Sequence, residues 1–255
     1  MSAVRKVFAW LVHLYTAMGL VCAAGMAVFI VRGGDASFRL AFFLMMLATA
    51  VDATDGWLAR KARVKETLPG FDGAALDNLI DFQTYTTLPL LLIWRAGVLP
   101  AELAWLLLLP LLASAYGFSQ VNVKTADGFF LGFPSYWNIV AFYLYVLTPP
   151  IWVSLVVVLA CSLLTFTPMR YLYLTRGGPF AKAMIAAGAV WAALIVVIVL
   201  RPAGERRTLA LISLIYPMVY LVLSWIITIR VARTRNQHKG HNEDLFNRRR
   251  EKPEA

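Results

Sequence analysis

Between Val7 and Val31 the chain runs for 25 residues without a Lys, Arg, Asp or Glu. At 1.5 Å per residue a helix of that length reaches about 37 Å, more than the roughly 30 Å of a bilayer's hydrocarbon core. Similar apolar runs recur, and the breaks between them carry helix-terminating residues: Gly33-Gly34, Pro69-Gly70, Thr148-Pro149-Pro150, Gly177-Gly178-Pro179 and Pro202. Placing helices between the breaks predicts spans at 7–31, 37–63, 73–94, 99–119, 135–148, 150–173, 181–200 and 208–231. The expected fold class is an all-α integral membrane protein of about eight transmembrane helices. Residues 1–231 form one membrane-embedded domain, and the polar, basic residues 232–255 form a disordered tail. The first run exceeds the apolar centre of a secretory signal and is read as a retained helix.

Composition agrees, with 60% hydrophobic and only 15% charged residues. Cys22 and Cys161 fall inside apolar runs and read as buried thiols. The net charge of +10 is uneven, and much of it lies beyond Arg230. On a soluble protein such a tail would suggest nucleic acid; after a membrane helix it marks the cytoplasmic side, and no nucleic-acid partner is expected. Eight spans put both termini on one side. With that side cytoplasmic, 18 Lys and Arg lie inside against six outside (Arg32, Arg39, Arg95, Arg201, Arg206 and Arg207). The loop between the second and third helices is then cytoplasmic.

The chemistry concentrates in the segment from Asp52 to Phe82. Asp52 and Asp55 are three residues apart near the end of one helix, and Asp77 and Asp81 four apart at the start of the next. Both spacings put a pair on one helical face. Four carboxylates near one membrane surface repel each other unless cations join them. Two divalent ions would neutralise them and leave positions open to phosphate oxygens. An oxygen-only donor set favours Mg²⁺ or Mn²⁺ over Zn²⁺. Gly56 and Ala59 lie within about 40° of Asp52 on the wheel, and Gly73 lies one turn before Asp77, so the surface beside the carboxylates is bare. Arg60, one turn after Gly56, can meet a phosphate or brace an Asp. The plainer alternative is a set of interfacial charges paired with Arg60, Lys61, Arg63 and Lys65. Four acids in register with three small residues argue against it.

The pattern Asp52-x2-Asp55-Gly56-x2-Ala59-Arg60 … Gly73-x3-Asp77-x3-Asp81 resembles the signature of the CDP-alcohol phosphatidyltransferases. Twelve residues, Lys61 through Asp72, separate Arg60 from Gly73. That linker is longer than in most of the family and resembles its bacterial phosphatidylcholine synthase branch, as does the stretch from Lys124 to Asn138. The resemblance implies a CDP-alcohol phosphatidyltransferase-like bundle in which Asp52, Asp55, Asp77 and Asp81 hold the metals. It further implies that Gly56, Ala59, Arg60 and Gly73 border the CDP group and that Asp81 is the candidate general base. The implied reaction transfers the phosphatidyl group of CDP-diacylglycerol to choline and releases CMP, with Mn²⁺ or Mg²⁺, at a bacterial inner membrane. A homodimer is compatible with this reading.

A quaternary ammonium offers no hydrogen to donate, so its site calls for aromatic faces. Phe133, Tyr136 and Trp137 are the leading candidates, with Phe129 and Phe130 beside them and Tyr116, Tyr171 and Tyr173 in reserve. Asp127 could add charge or pair with Lys124, and an interfacial aromatic belt would explain the same residues. His13 reads as a hydrogen-bonded link between helices; His238 and His241 belong to the tail. Lys182, Arg170 and Arg176 could serve a phosphorylated acceptor or simply set topology. Two rivals remain at this stage: the same chemistry with serine, glycerol phosphate or inositol phosphate, and a small cation transporter.

Overall fold

Small residues decide how the first two helices meet. The computed structural model describes residues 3–120, 129–172 and 181–231. In α1 (Ala3–Arg32) the buried stripe follows one helical face through Ala9, Val12, His13, Thr16, Gly19, Ala23 and Met26. Helix α2 (Asp35–Lys61) answers with Ala41, Met45, Ala48, Val51 and Asp55. Alanines and a glycine in these stripes allow close approach of the two helices, the way membrane helices pack without a hydrophobic drive between them. The opposite face of α1, including Val7, Leu11, Leu14 and Val28, is exposed and apolar, as a lipid-facing surface must be. Gly33 and Gly34, at φ 71° and 82°, form the reversal between the helices.

The third expected span is one helical run from 73 to 95 with a flaw in it. It begins as α4 (Gly73–Asp81), capped by the Asp72 carboxylate, which accepts from the Ala74 and Ala75 N–H groups at 3.0 and 3.1 Å. A π-helical turn over Phe82–Thr87 follows, then α5 (Leu88–Arg95) with Pro89 in its first turn. Pro89 has no N–H to donate to Tyr85, and the widened turn just before it absorbs that break. A short helix, α3 (Val64–Thr67), sits in the linker and packs Val64 against Ala9 and Val12 of α1. The chain continues through a 3₁₀ stretch (Ala101–Leu107), α6 (Leu108–Ser119), α7 (Trp137–Leu147), α8 (Ile151–Leu164), α9 (Ala181–Leu200), α10 (Arg206–Ser213) and α11, residues 215–231.

The chain is an all-α membrane protein, but its spans are less uniform than expected. Among the described residues, five helices are long and apolar enough to cross a bilayer: Ala3–Arg32, Asp35–Lys61, Ala101–Ser119, Lys182–Leu200 and Ala203–Val231. Helices α7 and α8, of 11 and 14 residues, reach only about 17 and 21 Å. The 73–95 run carries Asp77 and Asp81 in its first half, so it is not uniformly apolar. The sixth expected helix also ends early. It stops at Leu164 ahead of Pro168, and Arg170–Leu172 (β2) pairs antiparallel with Phe129–Leu131 (β1) in a two-stranded ribbon. Aromatic and branched residues favour that extended pairing. Lys124, Asp127, Tyr173, Arg176, the Gly177–Pro179 break and residues 232–255, with His238 and His241, lie outside the described residues.

At the far end of α2 from the aspartates, an ion-paired staple closes the bundle. Arg206, buried at 3% exposure, donates to both oxygens of Asp35 at 2.8 and 2.5 Å and to the Arg201 carbonyl at 2.7 Å. Tyr145 of α7 donates to Asp35 at 2.7 Å, and Arg39 donates to the Val199 and Leu200 carbonyls at the end of α9. Arg39 and Arg206, expected only as topology charges, thus tie α2, α7, α9 and α10 together. Replacing Asp35 with Ala leaves the Arg206 guanidinium buried without its carboxylate, and the expected cost is about 2–3 kcal/mol because the Asp side is half exposed. Glu205→Gln, which removes only the exposed pair with Arg201, should change stability by less than about 0.5 kcal/mol. Thermal unfolding of the two variants in detergent checks both.

Candidate active site

The fourth and fifth turns of α1, the last turns of α2 and the body of α4 converge on a small cavity. It is lined by Thr16, Gly19, Ala48, Val51, Asp52, Asp55, Asp77, Ile80 and Asp81. One oxygen each from Asp52, Asp55 and Asp77 lies within 4.8 Å of the other two. Asp55 is the deepest of them at 5% exposure, with Thr16 beside it; Asp52, Asp77 and Asp81 are half-buried. Asp81 lines the same cavity but stands outside the trio.

What brings the two aspartate pairs together is the seating of α4 on α1. A Cβ at Gly19 would lie 2.6 Å from Ile80 Cγ2, so the buried Ile80 wedges directly against the α1 backbone. Ile80 falls between Asp77 and Asp81 in sequence, and its insertion sets how deep α4 lies. Sequence reasoning missed this contact because Gly19 reads there as one more small residue in an apolar run.

It also missed Tyr85. The Tyr85 hydroxyl donates to Asp52 at 2.7 Å, crossing from the π-helical turn to α2. The signal was present: Asp77, Asp81 and Tyr85 are spaced at i, i+4 and i+8, one polar stripe along an otherwise apolar run. Farther out, Tyr15 of α1 shares a 2.7 Å hydrogen bond with Thr54 of α2.

The four small or basic motif positions divide by location. Arg60 extends along Gly56, its Nη1 3.3 Å from where a Cβ would stand. Ala59 packs on the cluster of Ala9, Val12 and Val64. Gly73 touches the imidazole of His13, which a Cβ there would approach to 2.6 Å. His13 itself does not make the interhelical hydrogen bond expected of it: its Nε2 is buried and has no hydrogen-bond partner among the described residues.

The aromatic candidates separate in the same way. Trp137 is fully buried and donates its indole N–H to Ser114 at 2.9 Å, which makes it part of the core. Phe133, at 8% exposure, packs edge-on against Trp137 and Tyr171. Tyr136 is placed differently, between Tyr85 at 6.3 Å and Tyr220 at 6.4 Å. Through Tyr85 it is one ring away from Asp52.

No family model matches the chain. Individual proteins do. It is 40% identical to the phosphatidylcholine synthase of Pseudomonas aeruginosa over 192 residues, 75% of this chain and 79% of that protein. It is 34% identical to the phosphatidylcholine synthase of Agrobacterium fabrum (74% and 78% covered) and 31% identical to that of Borreliella burgdorferi (72% and 78%). The chain belongs to the bacterial phosphatidylcholine synthase family. Membership in the phosphatidylcholine synthases accords with the branch of the CDP-alcohol phosphatidyltransferases that the motif and the twelve-residue linker resemble.

The Gly19–Ile80 contact is testable by stability alone. Gly19→Val should overpack the seam and cost about 1–3 kcal/mol. Ile80→Ala added to Gly19→Val should cost less than the sum of the two single changes, because each relieves the other. Additive losses would show that the two residues do not meet.

Proposed function

We propose that this chain transfers the phosphatidyl group of CDP-diacylglycerol to choline, forming phosphatidylcholine and releasing CMP, at an active site on the cytoplasmic side of a bacterial inner membrane. The observation that carries the reading is the convergence of Asp52, Asp55 and Asp77 within 4.8 Å, beside Asp81, in a phosphatidylcholine synthase family member.

The donor set fits hard divalent ions. Among the described residues, every charged group on the cavity is a carboxylate, and no Cys or His lines it. Two oxygens on one Mg²⁺ lie at most about 4.2 Å apart. The 4.8 Å limit of the trio is therefore within a small rotamer adjustment of a shared ion. Asp52, Asp55, Asp77 and Asp81 would hold two ions, Mn²⁺ or Mg²⁺. Bound there, the ions would offset the charge that gathers on the departing CMP.

The chain's own groups account for the rest. The choline oxygen bonds to the phosphorus that carries diacylglycerol as the bond to CMP breaks, and the hydroxyl proton passes to a base. Asp81 suits that part, since it faces the cavity while standing outside the converging trio. Tyr85 holds Asp52 in one orientation by its 2.7 Å hydrogen bond. Arg60, which runs along Gly56, would meet the nucleotide's phosphates, and Gly56, Ala59 and Gly73 would border the CDP group.

For choline, Tyr136 with Tyr85 and Tyr220 gives ring faces next to the carboxylates. Phe133 and Trp137 support that site from the core and do not line it. A trimethylammonium between such faces gains about 0.5–2 kcal/mol per ring.

Purified protein given CDP-diacylglycerol should release CMP with choline and much less with serine, glycerol phosphate or inositol phosphate. A chelator should abolish the reaction, and Mn²⁺ or Mg²⁺ should restore it. Equal turnover with any other acceptor would redirect the reading to that alcohol, and ion flux in proteoliposomes without CMP release would replace it with transport. Asp77→Asn should reduce turnover by a hundredfold or more, as expected when charge stabilisation at the reacting centre is lost. Tyr136→Ala should raise the KM for choline roughly three- to thirtyfold and leave that for CDP-diacylglycerol within about twofold.

A further inference from the structure

His13 is the one buried histidine of the described residues, and the reaction scheme above does not use it. It is 6% exposed, and its ring lies 4.4 Å from that of Phe71 and 5.9 Å from that of Trp10. Gly73, the motif glycine at the start of α4, runs its backbone against the same ring: a Cβ there would stand 2.6 Å from Cε1 and 3.1 Å from Nδ1. Yet Nε2 meets no hydrogen-bond partner among the described residues. An imidazole that only filled space would be better replaced by Met, Leu or Phe, because a buried polar nitrogen left unpaired opposes folding. A buried polar nitrogen without a partner calls for an explanation.

Position suggests an explanation. Thr16, three residues further along the same face of α1, lines the aspartate cavity. His13 therefore sits about 4.5 Å from Thr16 along the helix, toward the α1 N-terminus. If the carboxylates receive the pyrophosphate, a nucleoside attached to it extends about that far beyond. Gly73 touches His13, and Ala59 joins Ala9 and Val12 in the cluster beside it.

We propose that His13 is a nucleotide-binding residue, whose Nε2 forms a hydrogen bond with the nucleoside part (ribose or cytosine) of the CDP-lipid. Gly73 is glycine because the His13 ring occupies the space a side chain would take. Phe71, on the twelve-residue linker and 36% exposed, packs its ring 4.4 Å from the imidazole, and its movement would make room for the ligand beside His13. The linker thereby becomes part of the nucleotide site. This inference rests on the CDP-diacylglycerol reading of the cavity.

The test sets binding against stability. His13→Phe keeps an aromatic ring against Phe71 and Trp10 and removes the unpaired nitrogen; His13→Met does so with a more adaptable side chain. At least one of the two should unfold at the wild-type temperature or higher in detergent. In that variant the KM for CDP-diacylglycerol and the inhibition constant for CMP should both rise tenfold or more, with the KM for choline unchanged. Gly73→Ala should raise the same two constants, and adding it to the His13 variant should give little further loss. A well-folded His13 variant with wild-type KM for CDP-diacylglycerol and wild-type CMP inhibition overturns the assignment, as does loss of folding in both variants, which would make His13 structural. Wild-type protein that releases no CMP from CDP-diacylglycerol would instead overturn the functional reading beneath it.

Discussion

Three carboxylate oxygens brought within 4.8 Å of one another in a bundle with apolar outer faces is an arrangement that electrostatics opposes. At an effective dielectric of about 20, each ionised pair at that distance costs about 3.5 kcal/mol, or about 10 kcal/mol for three. That is comparable to the whole stability of a typical domain. The fold must hold the pairs against this repulsion, which a bound cation would remove. The holding is visible in the protein. Ile80, wedged on Gly19, keeps α4 from backing away from α1, and the Tyr85 hydroxyl gives Asp52 a compensating donor. The remaining negative charge is what two hard divalent ions would neutralise in the proposed site.

Helix α2 transmits this constraint from one end of the molecule to the other. Its first residue, Asp35, is fixed by Arg206 and Tyr145, and Arg39 reaches across to the last carbonyls of α9. Asp52 lies 17 residues on, about 26 Å along the axis. A rod anchored at one end by a bidentate ion pair and packed along α1 by small side chains presents its far carboxylates at a set depth. Arg206 thus supports the site without approaching it. The ribbon of β1 and β2 adds to the frame, since Arg170 donates its backbone N–H to Thr228 of α11 at 2.8 Å.

The elements most legible in the sequence were those governed by local chemistry. Helix periodicity, the Gly-Gly reversal and the i, i+3 and i, i+4 carboxylate pairs follow from spacing alone, so α1, α2 and α4 stand where expected. Long-range contacts were illegible because each half is ordinary by itself. Gly19 and Ile80 are 61 residues apart, and neither signals the other. Tyr85 could have been found by extending the Asp77–Asp81 stripe one more turn, but the π-helical turn between them follows from Pro89, whose effect falls upstream of itself. The burial of Trp137 and Phe133 was illegible for the opposite reason. Aromatics in a polar link look exposed, whereas both side chains are buried and Trp137 bonds to Ser114.

The charge of the acceptor follows from the same electrostatics. A phosphorylated alcohol would bring further negative charge toward four carboxylates and a pyrophosphate, and it would need dedicated cations to enter. Among the residues considered for that part, Arg170 has its guanidinium 5.6 Å over the Phe129 ring and its backbone in the ribbon, and Lys182 begins an exposed helix end. Choline arrives with the opposite sign. Its ammonium is drawn by the carboxylates over a range set by the local dielectric and needs only polarisable faces once there. Tyr136, set between Tyr85 and Tyr220, would supply such faces one ring away from Asp52. An anionic site with an aromatic wall favours a cationic alcohol over a phosphorylated one, and in the proposed site the Tyr85 hydroxyl would join that wall to the carboxylates.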